Sequence, residues 1–260
     1  MRVTVVLPAY NEEENLGHLL QKFKDVTEDI YNLQLNIIVV NDGSTDNTSA
    51  VAEGFGNSLK VEVVENERNM GLADTFMRGM IIAAERAHED DVILCMDADN
   101  SHSPGLAMRM VRSIQEGRDV VIASRYQPGA VVKGVPLSRR FLSYVMSWLF
   151  RLVHPITGVK DYSCGYRAYR AGFLQKALKK LGQDLFERGG FACMAGLLLA
   201  LGRSGAICGE VPIILRYDQK KGRSKMNILH TIRQTLWVLL VKRFQRSAQQ
   251  ESADTETQAS

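Results

Sequence analysis

The chain has few of the features that mark disulfide-bonded, secreted or membrane-spanning proteins. Its four cysteines are far apart and form no Cys-x-x-Cys pair, which argues against a disulfide framework or a zinc site. The N-terminus enters an apolar β-branched stretch without the basic and apolar regions of a signal peptide. The long apolar runs, at 141–153 and 189–202, are shorter than the ~20 residues that a spanning helix needs. We therefore predict a cytoplasmic protein without a transmembrane helix.

The net charge is also small, at +3, but the charged residues are unevenly distributed along the chain. Residues 1–122 hold 10 Lys and Arg against 21 Asp and Glu, whereas residues 123–246 hold 22 against 5. This asymmetry predicts a first half that handles a cation and a second half that faces anions. We expect no nucleic-acid partner, because neither a recognition-helix motif nor an RNA-binding aromatic pattern is present. The remaining candidate partners of the basic second half are phosphorylated small molecules and anionic membrane surfaces.

Short apolar segments alternate with helical patterns along the first half. Strands are predicted at 3–7, 35–40, 61–64, 92–96 and 120–123. This alternation is typical of βαβ units, so we predict an α/β fold with a mainly parallel central sheet flanked by helices. Open sheets of this class bind ligands at the carboxyl ends of their strands, and the acidic turns that follow the strands therefore predict a nucleotide pocket.

Two carboxylates, Asp97 and Asp99, follow the predicted strand at 92–96 with one residue between them. Carboxylates so close repel each other unless a cation lies between them, and Mg²⁺ and Mn²⁺ prefer oxygen ligands. The pattern therefore predicts a metal site that also serves a diphosphate. In the simpler interpretation, Asp97 caps the strand and Asp99 caps the helix that Ser103 and Pro104 open.

Four motifs of the first half occur in a fixed order: PAYNE at 8–12, VNDGSTD at 40–46, NMGL at 69–72 and DADxSHxP at 97–104. Together they resemble the motifs of family 2 glycosyltransferases with a GT-A fold. The resemblance implies a nucleoside-diphosphate sugar donor and Mg²⁺ or Mn²⁺ as the cofactor, with Asp97 and Asp99 at the metal. The donor-binding residues that it implies in this half are Pro8, Ala9, Tyr10, Glu12, Val40, Asp42, Asp97, Ala98 and Asp99.

The second half is similar to the dolichol-phosphate mannosyltransferase branch of that family. The similarity lies in GVPLSRRFLS at 134–143, DYSCGYRAYR at 161–170, and EVPI at 210–213 with its following basic loop. In that branch such segments bind the donor diphosphate and the phosphate of a polyprenyl acceptor. The basic and hydroxyl residues at matching positions are Arg125, Arg139, Ser143, Arg216 and Lys225. Asp161 is expected to orient Arg139 or the acceptor, which completes a predicted catalytic set of Asp97, Asp99, Arg125, Arg139, Ser143 and Asp161.

The chain departs from the family pattern in three respects. Asn41 and the pair Asn100-Ser101 stand where relatives often carry Asp and x-Gln, so the predicted metal ligands are Asp97 and Asp99 alone. The loop from Arg216 to Lys225 is longer than in close relatives, and Lys220 or Lys221 could take the role of Arg216. The stretch 191–195 lacks the usual Glu, so the sugar or acceptor pocket is expected to differ. His102 could assist a metal ligand, although a histidine beside a helix start is more often structural.

The C-terminal part predicts where the protein acts. Residues 226–246 carry an apolar stripe with Trp237, flanked by Lys and Arg, which is typical of a helix at a membrane interface. Packing on the domain or on a second subunit would also fit this periodicity. We predict a glycosyltransferase domain at 1–225, with a nucleotide and metal half at 1–122 and an acceptor half at 123–225. This amphipathic helix and a disordered tail at 247–260 follow.

The implied reaction is the inverting transfer of a hexose, mannose from GDP-mannose, to a polyprenyl or dolichyl monophosphate. It would take place peripherally on the cytoplasmic face of the membrane, and a membrane-protein partner or a homo-oligomer is left open. Because the acceptor phosphate is already anionic, it needs no strong general base. The alternatives are a polyprenyl-phosphate glucosyltransferase, a family 2 transferase with another acceptor such as a soluble glycan, and a non-catalytic nucleotide-binding domain. An enzyme is favoured by the presence of the charged motif residues, because a non-catalytic relative has no chemical need for them. These residues are Asp97, Asp99, Arg125 and Lys225.

Overall fold

The fold is centred on a sheet of short, buried strands that helices connect. The computed structural model describes residues 1–28, 34–181 and 192–222, together with residue 233. Within these ranges the strands are β1 (Arg2–Ala9), β2 (Gln34–Asn41), β3 (Lys60–Glu65), β4 (Val92–Cys95), β5 (Val120–Ser124), β6 (Val131–Lys133), β7 (Arg167–Arg170), β8 (Cys208–Pro212) and β9 (Ile214–Arg216).

Helices cover the faces of this sheet, and their apolar residues recur at the helical period. On the first helix, for example, Leu16, Leu19 and Phe23 are buried. The helices in the described part of the chain are α1 (Glu13–Glu28), α2 (Thr48–Glu53), α3 (Leu72–Arg86), α4 (Ala107–Gln115), α5 (Leu137–Val153), α6 (Ala171–Leu181) and α7 (Ala192–Arg203). Short 3₁₀ turns lie at Pro104–Leu106 and Tyr217–Gln219.

The main sheet of the described chain has seven strands in the order β3-β2-β1-β4-β7-β5-β8. Strands β1 to β4 pair in parallel, and so do β5 and β8. Strand β7 is antiparallel to both of its neighbours, β4 and β5. A second, two-stranded sheet pairs β6 with β9 in parallel. The carboxyl ends of β1, β2 and β4 therefore lie side by side at one edge, where sheets of this type bind ligands.

The core lies between the sheet and its helices, and α3 approaches the first strands closely. Gly79 of α3 faces Val6 and Val40, and a Cβ added there would overlap both side chains. Glycine at this position therefore permits the helix to approach the sheet closely. This contact fixes the carboxyl ends of β1 and β2 relative to the start of α3.

The predicted fold class is confirmed, and the five predicted strands correspond to β1 to β5. Strand β7 was not predicted, because Arg167 and Arg170 interrupt its apolar pattern. The Arg167 side chain is nonetheless fully buried, and its guanidinium donates hydrogen bonds to the backbone carbonyls of Met194 and Tyr162. These bonds satisfy donors that would otherwise make burial of a charge costly.

Several predictions fall on residues that the structure does not describe. They are Lys225, the amphipathic helix at 226–246 apart from residue 233, and the tail at 247–260. The proposed division of the domain into two halves likewise stays a prediction.

Among the helices of the described residues, none combines the length and the apolar character needed to cross a membrane.

Candidate active site

A cavity of about 560 Å³ opens at the carboxyl ends of β1, β2 and β4. Its walls come from both halves of the chain, so residues far apart in sequence meet there. The predicted site residues that line it are Pro8, Ala9, Tyr10, Glu12, Asp42, Asp97, Ala98, Asp99, Arg125, Arg139 and Ser143. Most of the predicted site is therefore brought together in one cavity.

Asp42 holds one wall of this cavity in place. Its buried carboxylate accepts hydrogen bonds from Asn66 Nδ2 at 2.9 Å, from the Met70 backbone N–H at 2.8 Å and from the Gly71 backbone N–H at 2.9 Å. Asp42 thus ties the loop before α3 to the end of β2. Val40 was predicted to bind the donor, but its side chain is fully buried in β2 and belongs to the hydrophobic core.

Asp97 and Asp99 face the cavity just beyond the end of β4. The Asp99 carboxylate accepts hydrogen bonds at Oδ1 from the Ser101 backbone N–H (3.1 Å) and hydroxyl (2.6 Å), and at Oδ2 from Lys220 Nζ (2.8 Å). Burial raises the pKa of Asp97, and repulsion by the Asp99 carboxylate adds to this shift. Burial alone would raise the pKa of Asp99 as well, but the Lys220 ammonium holds it below its ordinary value.

The two carboxylates fit a hard divalent cation. Their donor atoms are oxygens, and repulsion between them is relieved when a cation lies beside both. Within the described ranges, no third His, Cys, Asp or Glu joins them in a cluster that could hold a metal ion. Mg²⁺ is often bound in this way, through one or two carboxylates with substrate phosphates and water completing its shell. The residues present therefore fit an ion that is shared with a diphosphate.

His102 lies beside this pair and lines the same cavity. Its ring packs against Tyr166, with 5.3 Å between the ring centroids. Its buried Nδ1 has no hydrogen-bond partner among the described residues. The contact with Tyr166 agrees with a structural role for this histidine.

Arg125 enters the cavity from the end of β5 and is held by Asp161. Arg125 Nε donates to Asp161 Oδ2 at 2.8 Å, and Arg125 Nη2 donates to Asp161 Oδ1 at 2.6 Å and to Ser163 Oγ at 2.6 Å. Burial alone would raise the pKa of the enclosed Asp161, but the Arg125 guanidinium lowers it below the ordinary value. Asp161 was expected to orient Arg139 or the acceptor, but in the structure its carboxylate pairs with Arg125. A role toward the acceptor stays a prediction.

A strap formed by residues 214–222 borders the cavity on the side of α5. Arg139 Nη1 of α5 donates a hydrogen bond to the Tyr217 hydroxyl at 3.0 Å. The Tyr217 ring also faces two cations, with Arg139 Cζ at 5.8 Å and Lys220 Nζ at 5.7 Å from its centroid. Tyr217 was missed in the sequence, where its one signal is an aromatic residue within a basic loop.

Arg216 was predicted to bind the donor diphosphate, but it lies outside the cavity. Lys220, the alternative cation of the same loop, lies in the cavity wall. Arg216 pairs on the surface with Asp218, Nη2 to Oδ2 at 2.8 Å, and both side chains are more than a third exposed. The path of the backbone explains why Arg216 lies outside the cavity. The strap begins in β9, which pairs with β6, and it continues close to Gly134, the residue that follows β6. A Cβ at Gly134 would lie 2.5 Å from the Asp218 backbone nitrogen.

Helix α5 contributes both polar and apolar groups to the cavity. Ser143 Oγ lies 3.3 Å from the Tyr126 hydroxyl, which donates to it, and 3.4 Å from Ser163 Oγ. The apolar residues of α5 on this side were missed in the sequence and are Leu142, Met146 and Phe150. The cavity therefore joins an acidic end near β4 to a wall with cations, hydroxyls and apolar side chains.

The sequence of this chain is similar to those of known proteins. The model of the family described as "Glycosyl transferase family 2" matches residues 4–178. The polyprenol monophosphomannose synthase of Mycolicibacterium smegmatis is 31% identical over 228 residues, which are 87% of this chain and 81% of that protein. The undecaprenyl-phosphate mannosyltransferase of Micrococcus luteus is also 31% identical over 228 residues, with 87% of this chain and 88% of that protein covered.

A solved structure has a similar fold. It is glucosyl-3-phosphoglycerate synthase from Mycobacterium tuberculosis in complex with Mn²⁺, UDP and phosphoglyceric acid. Its TM-score is 0.62 at 19% sequence identity, and the match covers 93% of this chain and 78% of that one. At this identity the likeness concerns the fold alone.

Proposed function

The chain belongs to glycosyl transferase family 2, and from this membership we propose that it transfers mannose from GDP-mannose to a polyprenyl monophosphate with inversion. The enzyme has the GT-A fold, a mostly parallel sheet flanked by helices. One observation carries the proposal. A single cavity contains the Asp97 and Asp99 carboxylates at one end and the cationic and apolar wall of α5 at the other.

The acidic end suits the donor. Asp97 and Asp99 would hold a divalent ion, Mg²⁺ or Mn²⁺, together with the donor diphosphate. When bound, this ion would neutralise negative charge that grows on the leaving diphosphate. Arg125 contributes positive charge from the protein, and Asp161 holds its guanidinium in one orientation. Groups fixed in place before the reaction stabilise such charge most effectively.

The α5 wall suits the acceptor. Arg139 lies at the cavity with its guanidinium against Tyr217, and Ser143 lies one helical turn further along. We assign the acceptor phosphate to these two residues, and the first prenyl units to Leu142, Met146 and Phe150. The phosphate oxygen attacks the anomeric carbon as the bond to the diphosphate breaks, and the nucleoside diphosphate leaves. The acceptor is already ionised at neutral pH, so no side chain has to remove a proton.

The acceptor assignment is tested by comparing two neighbouring arginines. Arg139→Ala is expected to reduce transfer of labelled mannose into lipid by about 10²-fold, the scale of losing one electrostatic contact to the reacting groups. Arg140→Ala is the matched control, because Arg140 is exposed, and its rate should stay within about twofold, as for surface changes. Transfer would be measured in detergent with GDP-mannose, UDP-glucose and UDP-N-acetylglucosamine, each with polyprenyl phosphate.

The same assay decides between the proposed reaction and its alternatives. Label from UDP-glucose alone would replace mannose by glucose. Label that enters a water-soluble product but not lipid would contradict the polyprenyl acceptor. Equal losses in Arg139→Ala and Arg140→Ala would contradict the role given to Arg139.

The outer face of α5 supports a membrane surface as the place of action. Five large apolar side chains are exposed along it at intervals of three or four residues, so they form one stripe. They are Leu137, Phe141, Tyr144, Trp148 and Leu152, between 50% and 78% exposed. Exposed apolar stripes of this size mark interaction sites, and Trp and Tyr favour the membrane interface. Because the inner face of α5 lines the cavity, docking of this stripe would bring a lipid phosphate to Arg139.

Membrane docking by α5 makes a specific prediction. The double variant Phe141→Glu with Trp148→Glu should bind phosphatidylglycerol-containing vesicles at least about tenfold more weakly, because each aromatic side chain contributes about 1.5–3 kcal/mol when buried. Ile207→Glu is the control, since Ile207 is 61% exposed but lies outside α5. Vesicle co-sedimentation measures both. Unchanged binding of the double variant would contradict docking through this face.

A further inference from the structure

Both carboxylate oxygens of Asp99 have hydrogen-bond partners within the protein itself. Ser101 donates to Oδ1, and Lys220 Nζ lies 2.8 Å from Oδ2. The pair is nearly enclosed, with 13% of the Lys220 side chain and 11% of the Asp99 side chain exposed. A positive charge therefore already lies against the carboxylate that would hold a divalent ion.

The residues on either side of Lys220 are fastened to α1, Lys221 through its backbone and Gln219 through its side chain. The Lys221 backbone N–H donates to Asn15 Oδ1 at 2.8 Å, and Asn15 Nδ2 donates to the Lys221 carbonyl at 3.1 Å. Lys22 Nζ donates to Gln219 Oε1 at 2.8 Å. With the strap held at 219 and 221, the Lys220 ammonium can change partners by rotation about its side-chain bonds. No opening of the strap is needed.

From this geometry we propose that Lys220 is a resident counter-cation of Asp99, which the divalent ion displaces and the donor diphosphate then receives. The inference rests on the proposed function, because it takes the diphosphate of a nucleotide sugar as the second partner. Without ligand, Lys220 compensates the charge of Asp99. When ion and diphosphate are both bound, each carboxylate and each phosphate still faces a cation.

This exchange couples the two ligands. A free ion has to compete with Lys220 for Asp99, so it binds more weakly than two carboxylates alone would permit. A diphosphate that attracts the ammonium removes this competition, and by linkage the ion in turn strengthens binding of the diphosphate. Nucleotide and metal are then expected to enter together, which limits the time that the ion occupies the site without donor.

Replacement of Lys220 by methionine separates the two effects. Lys220→Met should bind Mn²⁺ alone about tenfold more tightly than the unchanged protein, and GDP or UDP alone, in EDTA, about tenfold more weakly, both within the usual range of coupling between sites. Electron paramagnetic resonance of free Mn²⁺ measures the first, and isothermal titration calorimetry measures the second. A Lys220 that only stabilised the strap would weaken both, and one that only bound the diphosphate would leave Mn²⁺ unaffected.

Lys221→Met is the matched control, because it removes the same charge from the adjacent position. Lys221 Nζ lies 3.3 Å from His18 Nε2 and is exposed, so neither affinity should change as far as with Lys220→Met. Mn²⁺ affinity that is equal or lower in Lys220→Met, or equally raised in both variants, would overturn the inference. Absence of GDP and UDP binding by the unchanged protein would contradict the proposed function instead, while the Mn²⁺ comparison still decides whether Lys220 competes for Asp99.

Discussion

Asp99→Asn is expected to lower sugar transfer by on the order of 10³-fold, the upper range for losing a single stabilising group at a reacting centre. Asparagine keeps the shape of the side chain and one acceptor oxygen, so the hydrogen bonds from Ser101 can persist. The negative charge is lost, and with it the attraction for a divalent ion at the diphosphate. The kcat/KM for the active donor measures the effect, and circular dichroism checks the fold.

Asp90→Asn provides the comparison, since Asp90 is an exposed carboxylate next to β4 whose loss should leave transfer unchanged. Chelation provides the second comparison. Transfer by the unchanged protein should stop in EDTA and return when Mn²⁺ or Mg²⁺ is added. Loss of such a group is expected to leave about 1% of the activity or less. If Asp99→Asn keeps more than about a tenth of the activity, Asp99 is not at the reacting centre. Full activity in EDTA would contradict the use of a metal.

The parts of the fold that the sequence predicts are those set by local periodicity. Strands β1 to β5 are short apolar runs between turns, and parallel strands of this kind place their carboxyl ends at one edge. This geometry predicts that three carboxylates lie at that edge, because each comes just after a strand: Asp42, Asp97 and Asp99. That these three residues line one cavity could therefore be predicted from the first half of the chain alone.

The parts that the sequence does not predict depend on contacts between distant segments. Strand β7 enters between β4 and β5, so Asp161 meets Arg125 across 36 residues of sequence rather than Arg139. Arg216 and Lys220 are both cations of one loop. The order of the motifs alone does not show which of the two lies in the cavity. Pairing of β9 with β6 leaves Arg216 with Asp218 at the surface and brings Lys220 to Asp99.

The buried pair of Arg125 and Asp161 leads to the largest expected effect on stability. Asp161→Asn should lower the free energy of unfolding by about 3 kcal/mol, because it leaves the guanidinium uncompensated in a site where Asp161 is fully buried and the Arg125 side chain is 21% exposed. For a chain of this size the melting temperature should fall by about 6–12 °C. Asp218→Asn, which removes the same charge from the exposed pair with Arg216, should leave the melting temperature unchanged.

Acid unfolding gives an independent test of the same pair. Arg125 lowers the pKa of Asp161 in the folded protein against the opposing effect of burial, so the unfolded chain takes up the proton at a higher pH than the folded one. The stabilisation is therefore complete above the unfolded value, about 3.9 for Asp, and is lost as the pH falls through the folded pKa. Asp161→Asn should be less stable at neutral pH, and its stability should fall less steeply than that of the unchanged protein in this acid range. Equal acid slopes for the two proteins in urea unfolding would show that Asp161 does not carry this charge in the fold.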